Sequence, residues 1–298
     1  MEDHRSKRHG LAGVAALLVT PFDESGAVCW ETYRSYVDWQ LSLGPQGLFA
    51  VCGSSEMAAL TLRERLELAR IAALRAGDVP VIATGNLERG LEQNLAEIRA
   101  MEDVGVAGVV LVGPGRKGEE VPHALEYFAR LAEAVDCDVY LYEWPSALPR
   151  YVKPEEFAHL VTTYGIKGIK DTTCTQEGIA AKVKAAPDAV VFQANTPLLP
   201  EAIQAGAGGI MATTTTVAAD LASRYWEVAS ADPDDPQAAN LHSQLVYLDL
   251  LLRRGHPAMA KYLIGLRGCA MSTRCRSAID LPEETRAAAR AWLQTLAL

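Results

Sequence analysis

Apolar residues along the chain fall into two alternating rhythms. Short runs rich in β-branched residues recur at 14–22, 47–53, 79–85, 108–113, 138–144, 166–171, 189–195 and 208–213. Between them lie longer segments, at 30–43, 61–76, 91–104, 123–135, 154–164 and 176–186, with apolar residues three or four apart, such as Leu62, Leu66 and Ala69. The first rhythm predicts short buried strands and the second predicts helices with one face laid on a sheet. Helix punctuation agrees: Thr61 and Glu64 have the spacing of a capping box, and Gly44 and Gly105 stand where a left-handed C-cap is needed.

Eight strand candidates separated by helices predict an α/β fold, a (β/α)8 TIM barrel, with a doubly wound open sheet as the alternative. After the eighth strand the pattern changes to helices alone, at 240–252, 257–266 and 283–296, behind the breaker Asp232-Pro233-Asp234-Asp235-Pro236. The expected layout is a flexible basic tail at 1–10, a barrel at 11–230 and a C-terminal helical extension at 231–298.

Composition changes this picture little. Hydrophobic residues make up 49% of the 298 residues and charged residues 22%, the balance of an ordinary globular protein. The net charge of −9 argues against nucleic acid or an anionic membrane as a partner, since both require a cationic surface. The basic cluster His4-Arg5-Ser6-Lys7-Arg8-His9 is short and reads as a solvated tail. Six scattered cysteines, Cys29, Cys52, Cys137, Cys174, Cys269 and Cys275, form no metal-ligand pair and read as reduced thiols. No apolar run reaches membrane-span length and no signal-peptide pattern is present, so the expected location is cytoplasmic.

The segment Ile166-Lys167-Gly168-Ile169-Lys170-Asp171 places a lysine at the C-terminal end of a strand, the face on which barrel active sites sit. Strand alternation puts Ile166, Gly168 and Lys170 on one face and Lys167, Ile169 and Asp171 on the other, so only one of the two lysines can enter the interior. Burial lowers the pKa of an amine, and a neutral amine attacks a ketone. A lysine at the surface of a strand end is the competing reading. In the preceding strand the same parity turns Tyr140 and Tyr142 inward, with Tyr142 at the active-site end beside Lys170, where a phenol can move protons. A core tyrosine satisfied by backbone is its alternative. After the second strand, Cys52-Gly53-Ser54-Ser55-Glu56-Met57 exposes amides and hydroxyls that suit a carboxylate, although a plain tight turn has the same composition.

Together these segments resemble the dihydrodipicolinate synthase / N-acetylneuraminate lyase family of pyruvate-dependent class I aldolases, over nearly the whole chain. The matching features are Thr20-Pro21-Phe22, Gly53-Ser54-Ser55-Glu56 followed by Leu60-Thr61 and Glu64-Arg65, the pair Tyr142 and Pro145, Gly168-Ile169-Lys170-Asp171, and Gly208-Gly209-Ile210-Met211 as the last strand. The resemblance implies that Lys170 is the Schiff-base lysine, that Tyr142 is the catalytic tyrosine, and that Gly53, Ser54 and Ser55 clamp a pyruvyl carboxylate. It also implies a homo-oligomer, tetramer or dimer.

Departures from the family pattern redirect the substrate expectation. Counted back from Glu56, the family's glycine-threonine-threonine-glycine-glutamate pattern puts Cys52 at the first glycine, Gly53 at the first threonine, Ser54 at the second and Ser55 at the second glycine; a deletion in the loop is the alternative register. Synthases of the family place a tyrosine after the fourth strand, where this chain reads Gly113-Pro114-Gly115-Arg116-Lys117-Gly118, and an arginine five positions after the catalytic tyrosine, where it has Ala147. Glu143 and Trp144 follow Tyr142, Arg150, Arg116 and Lys117 are the nearest cations for a distal acid, and Gln193 and Asn195 have the chemistry to bind sugar-acid hydroxyls.

The expected function is therefore a Schiff-base lyase or aldolase acting on pyruvate or a related 2-oxo acid, a 2-oxo-3-deoxy sugar acid among the candidates, and not dihydrodipicolinate synthesis. The predicted site comprises Lys170 and Tyr142 for catalysis and Gly53, Ser54, Ser55, Glu143, Gln193, Asn195 and Ile210 for substrate, with no metal and no cofactor. A dehydratase working through the same enamine and a non-catalytic carboxylate-binding barrel remain as alternatives. Unrelated metal chemistry is disfavoured because His4, His9, His123, His159, His242 and His256 do not cluster at strand ends.

Overall fold

In a computed structural model, which describes residues 10–114, 123–145 and 152–296, the eight apolar runs become eight parallel strands. These are β1 Gly13–Leu17, β2 Gly47–Phe49, β3 Val81–Thr84, β4 Gly108–Val112, β5 Asp138–Tyr142, β6 Gly168–Asp171, β7 Val190–Gln193 and β8 Gly209–Ile210. Each strand pairs with the next, and β8 returns to β1, so the sheet closes into a barrel. Closure rules out the doubly wound alternative, since an open sheet has two unpaired edges. The strands are shorter than their apolar runs. β1, for example, stops at Leu17, and Phe22 instead forms an isolated antiparallel bridge with Val28.

Helices α1 Trp30–Ser42, α2 Leu62–Ala76, α3 Leu91–Asp103, α4 Ala124–Ala132, α5 Pro154–Tyr164, α6 Gln176–Ala185, α7 Leu199–Gln204 and α8 Ala219–Ala231 surround the barrel. The expected capping box forms at α2: Thr61 accepts from the Glu64 amide, and the Glu64 carboxylate accepts from the Thr61 amide at 2.8 Å.

The interior is filled by a few large side chains set against glycines. Register aligns Tyr140 with Gly168, Tyr142 with Lys170 and Lys170 with Phe192, so these share the inward face. Tyr140 and Phe192 meet edge to face, with ring centroids 6.4 Å apart. Glycine is required beside them: a Cβ on Gly209 would fall 2.6 Å from the Phe192 ring, and one on Gly168 would fall 2.4 Å from the Val190 carbonyl. The Tyr140 hydroxyl accepts from the Leu11 amide at 2.9 Å, which ties the chain entering the barrel to its floor.

Beyond α8 the chain forms α9 Pro236–Leu252, α10 Ala258–Leu266 and α11 Glu283–Leu296. Asp235 in the predicted breaker caps α9, accepting from the Gln237 amide at 2.7 Å. Trp292 of α11 is buried and donates to the Gln244 carbonyl of α9 at 3.1 Å. Helix α10 and the segment after it return to the C-terminal mouth of the barrel, where Lys261 of α10 and Arg276 contact the loop that follows β2.

Candidate active site

Alternation along β6 sends Lys170 into the mouth and Asp171 outward. Lys170 is 5% exposed, and its Nζ lies 4.3 Å from the centroid of the Tyr142 ring and 5.6 Å from that of Phe49. Among the described residues no carboxylate pairs with it. Burial therefore pulls its pKa down to about 8, a shift that the neighbouring Cys52 thiol opposes only weakly. Tyr142 sits on the adjacent strand, edge-on to Phe49 at 6.0 Å, and burial holds its phenol protonated, well above the usual tyrosine range. The pair combines an amine that is easily neutral with a phenol that keeps its proton.

After β2 the chain turns through a single helical turn at Gly53–Ser55, reaches a left-handed residue at Glu56 and makes a second turn at Met57–Ala59. A Cβ on Gly53 would lie 3.3 Å from the Tyr142 hydroxyl and 3.6 Å from the Trp144 indole nitrogen, so the phenol and the indole N–H converge on the space above this glycine. The Ser55 hydroxyl closes on Cys52, accepting from its amide at 2.9 Å and donating to its carbonyl at 2.7 Å. Ser55 also offers its carbonyl to Thr20 at 2.8 Å. Its side chain thus shapes the loop, and Ser54, buried beside it, carries the loop's second hydroxyl. Glu56 anchors the far end, with one carboxylate oxygen 2.9 Å from Lys261 Nζ and the other accepting from the Arg276 amide at 2.7 Å.

Four of the expected substrate residues find partners within the protein. Glu143 follows Tyr142 and takes the opposite, helix-facing side, where it is 0% exposed. Its carboxylate meets Lys182 Nζ of α6 at 2.8 Å and accepts from the amides of Val152 at 2.9 Å and Thr172 at 3.1 Å. Burial, with Asp171 nearby, raises its pKa despite the partner lysine. Gln193 pairs in register with Asp171 and Ile210, which places it on the same outward face, and its carbonyl accepts from the Asn195 amide at 2.8 Å. Asn195 lies within 3.3 Å of Arg253 at the end of α9. Ile210, fully buried, shares the helix-facing side with Val14. Arg116, Lys117, Ala147 and Arg150 lie outside the described residues, as does the basic tail up to His9.

Two groups escaped sequence reasoning. Lys182 closes a buried cluster on the outer side of β5 and β6, 2.6 Å from Asp171 as well as 2.8 Å from Glu143. Its one trace in the sequence is its position three residues after Ile179 on the apolar face of α6. His256, in the turn before α10, brings Nε2 within 3.0 Å of Ser54 Oγ. Burial and the charges of Lys170 and Lys261 push its pKa down to about 4, so the ring is neutral at physiological pH.

The sequence profile of the Dihydrodipicolinate synthetase family matches residues 10–296. The chain belongs to this family. An uncharacterized DapA-like lyase of Halobacterium salinarum is 30% identical over 293 residues, covering 97% of this chain and 95% of the relative. A 4-hydroxy-tetrahydrodipicolinate synthase of Alcanivorax borkumensis is 27% identical over 257 residues, covering 85% and 87%. Among solved structures, YagE of E. coli K12, a prophage protein of the dihydrodipicolinic acid synthase family crystallised with pyruvate, superposes with a TM-score of 0.87 at 23% identity, covering 96% of this chain and 99% of YagE. At that identity the superposition speaks for the barrel. As a member of the dihydrodipicolinate synthetase family the protein is a lyase, and among its described residues no helix is long and apolar enough to cross a membrane.

Proposed function

We propose that this lyase forms a Schiff base between Lys170 and the keto carbon of pyruvate or a related 2-oxo acid. The observation that carries the reading is the desolvated amine of Lys170, without a carboxylate partner among the described residues and 4.3 Å from the Tyr142 ring. With a pKa of about 8, roughly a tenth of the amine is neutral at pH 7, enough to supply the nucleophile without a separate base.

The neutral amine adds to C2 of the 2-oxo acid, and the carbinolamine loses water after a proton reaches its hydroxyl. The resulting iminium is the electron sink. In the cleavage direction the hydroxyl on C4 loses its proton, the C3–C4 bond breaks to give an aldehyde, and its electron pair becomes the enamine. Protonation at C3 and hydrolysis release the shortened 2-oxo acid and restore Lys170. Tyr142, whose hydroxyl faces the same space, moves these protons. In a dehydratase the iminium of a 2-oxo-3-deoxy sugar acid instead loses a proton from C3, and the resulting enamine expels the C4 hydroxyl as water once that hydroxyl is protonated, so this reaction would use the same lysine and the same proton-moving tyrosine.

The substrate carboxylate is assigned to the loop after β2, to the backbone amides of Gly53 and Ser54 and the Ser54 hydroxyl. Synthesis of dihydrodipicolinate is disfavoured because Gly53 stands opposite the Tyr142 hydroxyl and cannot pass a proton onward. Borohydride reduction in the presence of pyruvate, read by intact mass and peptide mapping, tests the reading. A covalent adduct on Lys170 that is lost in Lys170→Ala is expected. A folded protein that forms no adduct with pyruvate or longer 2-oxo acids would instead be a carboxylate-binding barrel.

A further inference from the structure

His256 comes from the helical segment after the barrel, 202 residues from Ser54, and touches the Ser54 hydroxyl, whose other neighbour in the loop is the Cys52 thiol. The contact is 3.0 Å from His256 Nε2 to Ser54 Oγ. The other ring nitrogen, Nδ1, is buried and has no hydrogen-bond partner. We infer that His256 is a positioning residue for the carboxylate of the 2-oxo acid: its Nε2–H donates to Ser54 Oγ and so turns the Ser54 hydroxyl proton toward the ligand.

The inference rests on the Schiff-base reading and on a proton count. A neutral imidazole carries one proton, on Nδ1 or on Nε2. Placed on Nδ1, that proton would be a buried donor with no acceptor, which folded proteins tolerate less often than an unpaired buried acceptor. Placed on Nε2, it points at Ser54 Oγ. The ring is held neutral by its surroundings, since burial and the nearby amines of Lys170 and Lys261 all oppose a second proton.

Ser54 then accepts from His256 and keeps its own proton to give away. Its immediate neighbour Cys52 offers a buried thiol, a poor acceptor, whereas an entering carboxylate offers a charged one. The arrangement therefore favours an acceptor-only group at Ser54, as the carboxylate of a 2-oxo acid is. With the opposite tautomer, Ser54 would spend its proton on the imidazole and would meet the carboxylate with lone pairs only. Ser55 cannot substitute, because its hydroxyl is closed on the Cys52 backbone.

The test measures the pyruvate concentration that gives half-maximal borohydride trapping on Lys170. In His256→Leu this concentration is expected to rise about tenfold, the loss of one hydrogen bond to a charged group, while the maximal trapping rate at saturating pyruvate changes by less than about threefold. In His256→Gln, whose side-chain amide reaches Ser54 with a donor, it should return to within about threefold of the unsubstituted protein. An unchanged concentration dependence in the leucine variant would overturn the inference, as would equal impairment in both variants, which would mark a packing contribution. Nitrogen-15 NMR of the unsubstituted protein gives a readout independent of variant folding: protonation at Nε2 is expected, and protonation at Nδ1 would overturn the inference. Absence of any adduct in the unsubstituted protein overturns the Schiff-base reading along with this one, whereas a normal adduct with unchanged dependence in His256→Leu overturns this one alone.

Discussion

Two lysines twelve residues apart show what the barrel does with a buried amine. Lys170 points from β6 into the mouth and meets the faces of Tyr142 and Phe49. Lys182 points from α6 onto the outside of the same strands and meets Glu143 at 2.8 Å and Asp171 at 2.6 Å. Both are nearly inaccessible to water, at 5% and 1%. Burial alone opposes charge and produces a nucleophile, as at Lys170; burial with two carboxylates produces a fastener, as at Lys182. Strand parity keeps the two apart: Lys170 and Asp171 are neighbours in sequence but face opposite sides of the sheet. Tyr142 and Glu143 repeat the arrangement on β5, so one clamp outside the sheet holds both proposed catalytic residues inside it.

The sharpest way to break the comparison is to remove each amine in turn. Lys170→Ala is expected to abolish the pyruvate adduct and lower turnover by roughly 10³-fold or more, since the imine-forming amine is removed. It should leave the melting temperature unchanged or raised, because an unpaired buried polar group has been removed. Tyr142→Phe should keep the adduct and the fold but slow turnover by about 10²–10⁴-fold, the scale of a lost general acid–base group. Lys182→Ala should do the reverse of Lys170→Ala. Two buried carboxylates lose their counter-charge, which costs about 3–5 kcal/mol of stability, and thermal unfolding should show a drop on the order of 10 °C. A Lys182→Ala protein that melts normally would mean that the outer cluster is not a fastener.

The same parity argument explains what could be read from the sequence and what could not. The barrel was legible because eight apolar runs separated by amphipathic segments admit few arrangements, and closure needed only that each pair with the next. Lys170 and Tyr142 were legible from alternation within their strands. Glu143 obeys the same rule, which turns it outward, but its counter-charge, Lys182, stands 39 residues later and is placed beside it only by the fold. Gln193 is likewise in register with Asp171 on the outward face. His256 had no local signal at all, because its partner is brought to it by the whole helical extension folding back over the mouth.

The smallest expected effect concerns pH and sharpens the contrast between a bare amine and a paired one. Lys170 has a pKa of about 8, below that of an ordinary lysine. A lowered amine pKa means that the reactive neutral form grows as pH rises, so the rate of imine formation with pyruvate should climb about tenfold per pH unit up to roughly 8 and then level off. The same shift makes the unfolded chain, whose lysine is ordinary, bind the extra proton between about pH 8 and the normal lysine range, so any contribution of Lys170 to stability must increase with pH across that window. Initial rates of trapping at saturating pyruvate between pH 6 and about 9.5 test this directly. A plateau reached only near pH 10 would show an amine that is solvated or paired in solution, and would remove the distinction between the inner lysine and its partner outside the sheet.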